Sequence, residues 1–230
     1  WSGLGYYARA RNLHRAAGVM RDEHGGRFPT DIDVLMALPG IGRSTAGAIL
    51  SLALNQRHPI LDGNVKRVLA RHAAIPGWPG KTAVAKQLWV IADDRTPHER
   101  SAAYTQAIMD LGATVCMRSR PACERCPVRS DCRALLTDSI GDYPGRKPKK
   151  AKPLRQTTMV LASRNRSVFL ERRPEAGIWG GLWGLPELGE RSVEQWCRDT
   201  LNVRVSTTEA WQPLRHSFSH YDLDIQPIVV

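Results

Sequence analysis

Cys116, Cys123, Cys126 and Cys132 fall in one short stretch with the spacing C-x6-C-x2-C-x5-C. Thiolates are soft ligands, and four of them close together complete a tetrahedral zinc site or hold a [4Fe–4S] cube. Either group would fix the path of a loop too small to have a core of its own. Arg118, Arg120, Arg125, Arg129 and Arg133 lie among and just after the cysteines, so the stapled loop presents positive charge in a form suited to phosphate contact. The competing assignments are two disulfides, or a zinc knuckle with no role beyond folding. Disulfides need an oxidising compartment, and the residues present show no apolar leader segment, so metal ligation is the expectation. Spacing alone does not separate zinc from iron–sulfur. Cys197 stands far from the other four and reads as a small buried hydrophobe.

The formal charge of +11 and the pI near 9.9 point to a polyanionic partner, with nucleic acid first and an acidic membrane surface second. No apolar run approaches bilayer-spanning length, so a membrane role is not expected. At 230 residues the chain has material for one large core or two modest ones.

Residues 1–142 read mostly as helices, with apolar positions at helical intervals over 46–54, 65–74 and 84–92. Thr30, followed by Asp31 and Asp33, marks a helix start with acids in its first turn. Pro76-Gly77 and Pro79-Gly80 punctuate a turn. Residues 143–156 differ in texture. From Pro144 to Gln156 they carry Arg146, Lys147, Lys149, Lys150, Lys152 and Arg155, three prolines and no acid. That composition describes a solvated tether or a segment lying along a phosphate backbone. Beyond it, 158–162, 168–170 and 223–230 read as strands and 196–201 as a helix, which makes 157–230 a small α+β domain. The chain begins without methionine in a helical pattern and stops in a strand pattern, so a piece lacking both ends is expected.

Leu38-Pro39-Gly40-Ile41-Gly42-Arg43-Ser44-Thr45-Ala46 lies between two helical patterns. Gly40 and Gly42 permit a tight turn and close approach of another backbone. The next helix offers free N–H groups and a positive dipole end to an anion, the way a helix-hairpin-helix grips one DNA phosphate. Downstream, Asp62 precedes a helical run. It either caps that helix or places a carboxylate where it stabilises a sugar cation, and position leaves both open.

In this order, the hairpin, the aspartate and the cysteine loop resemble the endonuclease III superfamily of DNA glycosylases, whose cysteines hold a [4Fe–4S] cluster. Trp1-Ser2-Gly3-Leu4-Gly5-Tyr6-Tyr7-Ala8-Arg9-Ala10-Arg11-Asn12-Leu13 and Leu61-Asp62-Gly63-Asn64-Val65 resemble the adenine DNA glycosylases of the MutY type. Trp179-Gly180-Gly181-Leu182-Trp183 and Phe218-Ser219-His220 resemble their C-terminal domain. The resemblance implies a multidomain chain. An all-α helix-hairpin-helix glycosylase domain with an iron–sulfur loop occupies 1–142, the basic Pro-rich linker 143–156, and a small α+β Nudix-like domain 157–230.

It also implies removal of adenine mispaired with 8-oxoguanine or guanine in duplex DNA, by a monomeric enzyme of the cytoplasm (nucleoid-associated, if bacterial). The adenine leaves the stack for a pocket. A protonated glutamate delivers a proton to it, the carboxylate matching Asp62 stabilises the oxocarbenium-like sugar, and water completes hydrolysis. Leu38, Gly40, Gly42, Ser44 and Thr45 form the DNA-gripping hairpin. Strand-cutting members carry a Schiff-base lysine where this chain has Ser44, so a base-excising, non-cutting enzyme is implied. Tyr6 matches an aromatic wedge beside 8-oxoguanine, and Asn64 a residue that orders the pocket around the aspartate. Ser219 and His220, beside Phe218, match a loop that recognises 8-oxoguanine. Trp179 and Trp183 read as core. Lys66 matches no family nucleophile.

The glutamate belongs upstream of Trp1, and Glu23 has no matching context, so the chain as given is expected to bind DNA but excise adenine negligibly. Two rivals stand. A Nudix hydrolase needs carboxylates gathered on one helix to hold magnesium, and Glu187, Glu190, Glu194 and Asp199 are scattered. A non-catalytic DNA-binding protein with an iron–sulfur or zinc staple accounts for everything except Asp62-Gly63-Asn64 and Phe218-Ser219-His220.

Overall fold

The structure, a computed structural model, describes residues 7–148, 151–175 and 177–230. Its contacts divide them into two units, Ala8–Pro148 and a second unit beyond Pro148.

The first unit is helical: α1 Tyr7–Glu23, α2 Ile32–Ala37, α3 Arg43–Leu54, α4 Gly63–His72, α5 Thr82–Arg95, α6 Ser101–Asp110 and the short α7 Arg133–Leu136. Asp31, rather than Thr30, caps α2 by accepting from the N–H groups of Asp33 and Val34. One core gathers Ala16, Met20, Leu35, Leu38, Ala46 and Leu50 from α1, the α2–α3 hairpin and α3. A second gathers Leu61, Val65, Val68, Leu69, Leu88 and Ile108 around α4, α5 and α6. Helix α6 runs on into a π-helical turn, Leu111–Val115, that leads into the cysteine loop.

One stripe of α3 carries the segment that links the two cores. Ser51 Oγ donates to the Gln56 and His58 carbonyls at 3.0 and 3.2 Å. One turn earlier, a Cβ on Gly47 would fall 2.8 Å from the Pro59 carbonyl oxygen. The extended segment 56–61 therefore lies directly on α3, and that support aims the start of α4.

The second unit is built on a sheet. Its strands are β1 Leu154–Leu161, β2 Ser163–Arg164, β3 Ser167–Val168, β4 Glu171–Arg172, β5 Trp183–Gly184, β6 Glu209–Ala210, β7 Leu214–Ser217 and β8 Asp222–Val229. Strand β8 is central. It pairs in parallel with β1, from Leu154↔Asp222 to Leu161↔Val229, and antiparallel with β6 and β7. Strands β2–β3 and β4–β5 form two small ladders. Val160, Ala162, Leu188, Trp196 and Cys197 make the core, so Cys197 is the buried hydrophobe its isolation implied.

One expectation changes. The helix expected over 196–201 starts earlier, as α8 Val193–Trp196, because the Ser192 side chain caps it through the Gln195 N–H; a π-helical turn, Cys197–Leu201, follows. The basic stretch 143–156, read as a tether or as a segment lying along a phosphate backbone, has contacts near both ends. The Gly145 N–H donates to the Gly77 carbonyl at 3.1 Å and Lys147 lies over the Trp78 ring, whereas 154–156 belong to β1. No helix among the described residues is long and apolar enough to cross a membrane.

Gly47→Ala is expected to lower unfolding stability by about 1–3 kcal/mol, the range for a group forced into packed structure. Gly18→Ala on α1, where a Cβ meets nothing within 4 Å, should be neutral or stabilising by about 0.5–1 kcal/mol. Urea titration of both variants checks the contrast.

Candidate functional site

The hairpin between α2 and α3 turns on an Ile41 N–H bond to the Leu38 carbonyl, at 3.1 Å. Its two glycines do different work. Gly40 has φ of 81° and a Cβ there would fall 2.8 Å from Asn12 Cβ on α1; both facts require glycine. Gly42 is extended and its surroundings are open. It caps α3 without a side-chain acceptor, so the first N–H groups of that helix are left to whatever approaches them. Gly42, Arg43 and Thr45 are exposed, while the Leu38 side chain is core. Any outside contact by Leu38 is through its backbone.

Ser44 joins this hairpin to the aspartate. Its Oγ accepts the Leu61 N–H at 2.9 Å, fixing the residue before Asp62. Asp62 is half-buried and caps α4, with Oδ1 accepting the Val65 N–H at 2.8 Å. The capping role is real, and it uses one oxygen. Among the described residues Oδ2 makes no hydrogen bond.

Asn64, Arg67 and Arg71 follow along one face of α4. Asn64 Oδ1 accepts from Arg67 Nη2 at 2.9 Å. Arg67 also donates to the Gly112 carbonyl and, through Nε, to the Cys116 carbonyl at 2.7 Å. Gly112 lies so close that a Cβ would sit 2.6 Å from Asn64 Cβ. Arg71 is 3% exposed. It donates to the carbonyls of Tyr143, Met117 and Arg118 at 2.9, 2.8 and 3.1 Å, and to Cys116 Sγ at 3.3 Å. Among the described residues no carboxylate pairs with it.

The four cysteines, each half-buried, line one cavity together with Arg71. Burial pushes the Cys123 thiol up, the sulfurs of Cys116, Cys132 and Cys126 push it further, and Arg71 opposes them. The four sulfurs surround a space. No three His, Cys, Asp or Glu side chains among the described residues come together as the ligands of a single ion. Arg118, Arg120, Arg125, Arg129 and Arg133 are exposed on the loop.

In the second unit, Phe218-Ser219-His220-Tyr221 is the turn between β7 and β8, closed by the Phe218 N–H on the Tyr221 carbonyl at 2.9 Å. Ser219 and His220 are exposed at its tip, with Ser219 Oγ 3.3 Å from His220 Nδ1. Phe218 is the hub of a ring cluster with His216, Tyr221 and Trp179, at centroid distances of 4.4, 4.9 and 5.2 Å. Lys152 Nζ donates to the Phe218 carbonyl at 2.7 Å.

Comparison with known proteins gives the family. The helix-hairpin-helix motif model matches residues 23–52 and the NUDIX domain model residues 157–230. The adenine DNA glycosylase of Buchnera aphidicola from Schizaphis graminum is 36% identical over 232 residues, covering 100% of this chain and 67% of that protein. The chain belongs to the adenine DNA glycosylase family. The enzyme from the Acyrthosiphon pisum strain is 36% identical over 231 residues, 100% of this chain and 66% of that protein. The human one is 35% identical over 281 residues, 98% of this chain and 52% of that protein. The chain thus spans about two thirds of the length of the bacterial relatives it matches.

Within the family frame, the chain keeps hairpin, Asp62 and cysteine loop in one unit and the Phe218 turn in the other. Tyr6 lies outside the described residues. Trp179 and Trp183 do not join the core as expected: Trp183 is 67% exposed on β5, and Trp179 is half-buried against Phe218. Glu187 is held by Arg173 at 2.6 Å. Sequence reading passed over Arg67 and Arg71. Their signal was present as the spacing Asn64, Arg67, Arg71, which places all three on one helical face.

Arg71→Met strands three backbone carbonyls at the mouth of the cysteine loop. These bonds are part-buried, so water offsets part of the cost of about 1–3 kcal/mol per buried unpaired group, and a total loss of about 1–3 kcal/mol is expected. Thermal unfolding measures it, and limited proteolysis should cut first within 116–132.

Proposed function

We propose that this chain is the DNA-engaging body of an adenine DNA glycosylase of base excision repair, acting on adenine mispaired with 8-oxoguanine or guanine in duplex DNA. The observation that carries the reading is the Ser44–Leu61 hydrogen bond, which joins the uncapped end of α3 to the residue before Asp62. An anion-seeking helix end and a carboxylate are thereby held in fixed relation, as base excision requires of a phosphate and the sugar attached to it.

In this reading the N–H groups after Gly42 bind a backbone phosphate, assisted by Ser44 and Thr45 and by the backbone of Leu38 and Gly40. The adenine leaves the stack. Its bond to C1′ breaks with the electron pair going to the base, which takes up a proton from the glutamate that the family resemblance implies and this chain does not supply. Asp62 keeps Oδ1 on its helix cap and turns Oδ2 toward the cationic sugar. Asn64 steadies that end of α4, water adds at C1′, and an abasic site and free adenine result. Ser44 has no amine, so no imine forms and the strand is left uncut. Residues 1–142 do this work, 143–156 connect, and 157–230 present Ser219 and His220 to 8-oxoguanine, with Tyr6 wedging beside it.

Cys116, Cys123, Cys126 and Cys132 hold a [4Fe–4S] cluster in the same reading. Four thiolates on one zinc lie only about 3.8 Å apart, given Zn–S bonds of about 2.3 Å; here the four cysteines line one cavity, and among the described residues no three of them group around a single ion. The buried, carboxylate-free Arg71 needs negative charge, and thiolates supply it. When bound, the cluster fixes the loop and contributes net negative charge, and no step of hydrolysis passes through it.

Two measurements test these assignments. Near physiological salt, the 230-residue chain should bind 8-oxoguanine·adenine duplex about 10-fold or more tighter than undamaged duplex, within the usual specificity range, while releasing negligible adenine. Equal affinities favour the non-catalytic binder, and measurable excision refutes the need for the absent glutamate. Protein prepared without oxygen should contain iron and acid-labile sulfide in equal amounts. Stoichiometric zinc without sulfide would sink the cluster assignment.

A further inference from the structure

Trp179 occupies a backbone conformation that bulky side chains seldom adopt, with φ of 54°. The path around it leaves little choice. A Cβ on Gly180 would fall 2.2 Å from the Glu175 carbonyl oxygen, and the Leu182 N–H closes the turn on the Trp179 carbonyl at 3.0 Å. Such strain persists only where its surroundings over-determine it, and it concentrates at functional positions.

The conformation gives the indole a particular position. One side meets Phe218 edge-on, at 5.2 Å and 61°, and His216 at 5.7 Å. The Arg173 guanidinium lies 5.6 Å from its centroid. Arg173 is itself fixed, with Nη1 donating to Glu187 Oε1 at 2.6 Å and Nε to the Ile178 carbonyl at 3.2 Å. Glu187 is bridged to Met159 on β1. A continuous strut therefore runs from the central sheet through Glu187, Arg173 and Trp179 to Phe218, the residue on which the exposed Ser219-His220 tip is mounted.

We infer that Trp179 is a positioning residue that sets lesion preference by holding Phe218, and through it the polar tip, in one orientation. The inference rests on the reading of this turn as the element that meets 8-oxoguanine. The indole is too far inside the turn to share the tip's exposure, so its effect reaches the lesion through Phe218. Without it the tip still exists but samples several orientations, and its hydrogen-bonding groups no longer distinguish 8-oxoguanine from guanine.

Trp179→Gly and Trp179→Asn test this on the full chain. Both residues tolerate a left-handed backbone, so both remove the ring without adding strain. Affinities are measured for 8-oxoguanine·adenine, guanine·adenine and undamaged duplexes, alongside the melting temperature. The expected result is an 8-oxoguanine preference reduced by about 10-fold, within the specificity range of such interfaces, with undamaged-duplex affinity and melting temperature unchanged. A preference retained in either folded variant overturns the inference, as does a parallel loss on all three duplexes, which would mark a general structural role. If the unsubstituted chain shows no preference at all, the functional reading fails first, and that outcome is distinct from the others.

Discussion

A buried guanidinium without a carboxylate is the constraint around which the helical unit is organised. Arg71 sits in the last turn of α4 with four backbone carbonyls and one sulfur as its acceptors. Neutral carbonyls satisfy its hydrogen-bond geometry, but they offset little of the cost of taking a cation out of water. The thiols of Cys116, Cys123, Cys126 and Cys132 line the same cavity. Guanidinium and sulfurs suit each other: a nearby cation favours thiolates in a protein interior, and thiolates there would offset the cost of burying the cation. Arg67, one turn earlier, carries the arrangement back along α4 to Asn64 and the helix start.

The opposite end of α4 is set by α3. Ser44, Gly47 and Ser51 form a stripe at intervals of three and four residues, and each touches the segment that precedes Asp62. The stripe also gives a physical reason why the residue at position 44 bears on reaction type. A lysine ammonium only donates, so it could not accept the Leu61 N–H as the serine hydroxyl does. Exchanging hydroxyl for amine would therefore change the support of the Asp62 loop as well as the available nucleophile. On the proposed function, the identity of residue 44 and the local backbone geometry are linked through one side chain.

Local signals in the sequence were good guides where one residue type has one physical job. Gly40 at positive φ, Asp62 at a helix start and the period of α3, α4 and α5 were legible because turn chemistry, capping and amphipathicity act over a few residues. The four cysteines were legible as a set, and the fold brings all four to one cavity. Contacts made across long stretches of chain stayed hidden. Arg71 reaches residues 45–72 positions away; the spacing Asn64, Arg67, Arg71 places it on one helical face with the other two but does not name those distant partners. Trp179 was misplaced for a related reason. Size and aromaticity favour burial on average, but its destination was fixed by a glycine-rich turn and by Phe218, thirty-nine positions on. Composition of 143–156 likewise said nothing of the Gly145–Gly77 hydrogen bond or of the pairing of 154–156 with β8.

The same distinction corrects the meaning of the net charge. A formal +11 counts every arginine equally, yet phosphate binding depends only on cations free to displace counterions. Arg71 is enclosed and Arg67 is committed to Asn64 and two carbonyls. Arg57, Arg173 and Arg215 are engaged by Asp93, Glu187 and Asp224. The cysteine-loop arginines are of another kind: exposed, close in sequence and mounted on a segment whose path the sulfurs would fix. Arg129 spends one donor on the Glu124 carbonyl at 3.1 Å, yet all five side chains remain exposed. Of the engaged cations, Arg67 and Arg71 are the two that bond to the backbone of that loop.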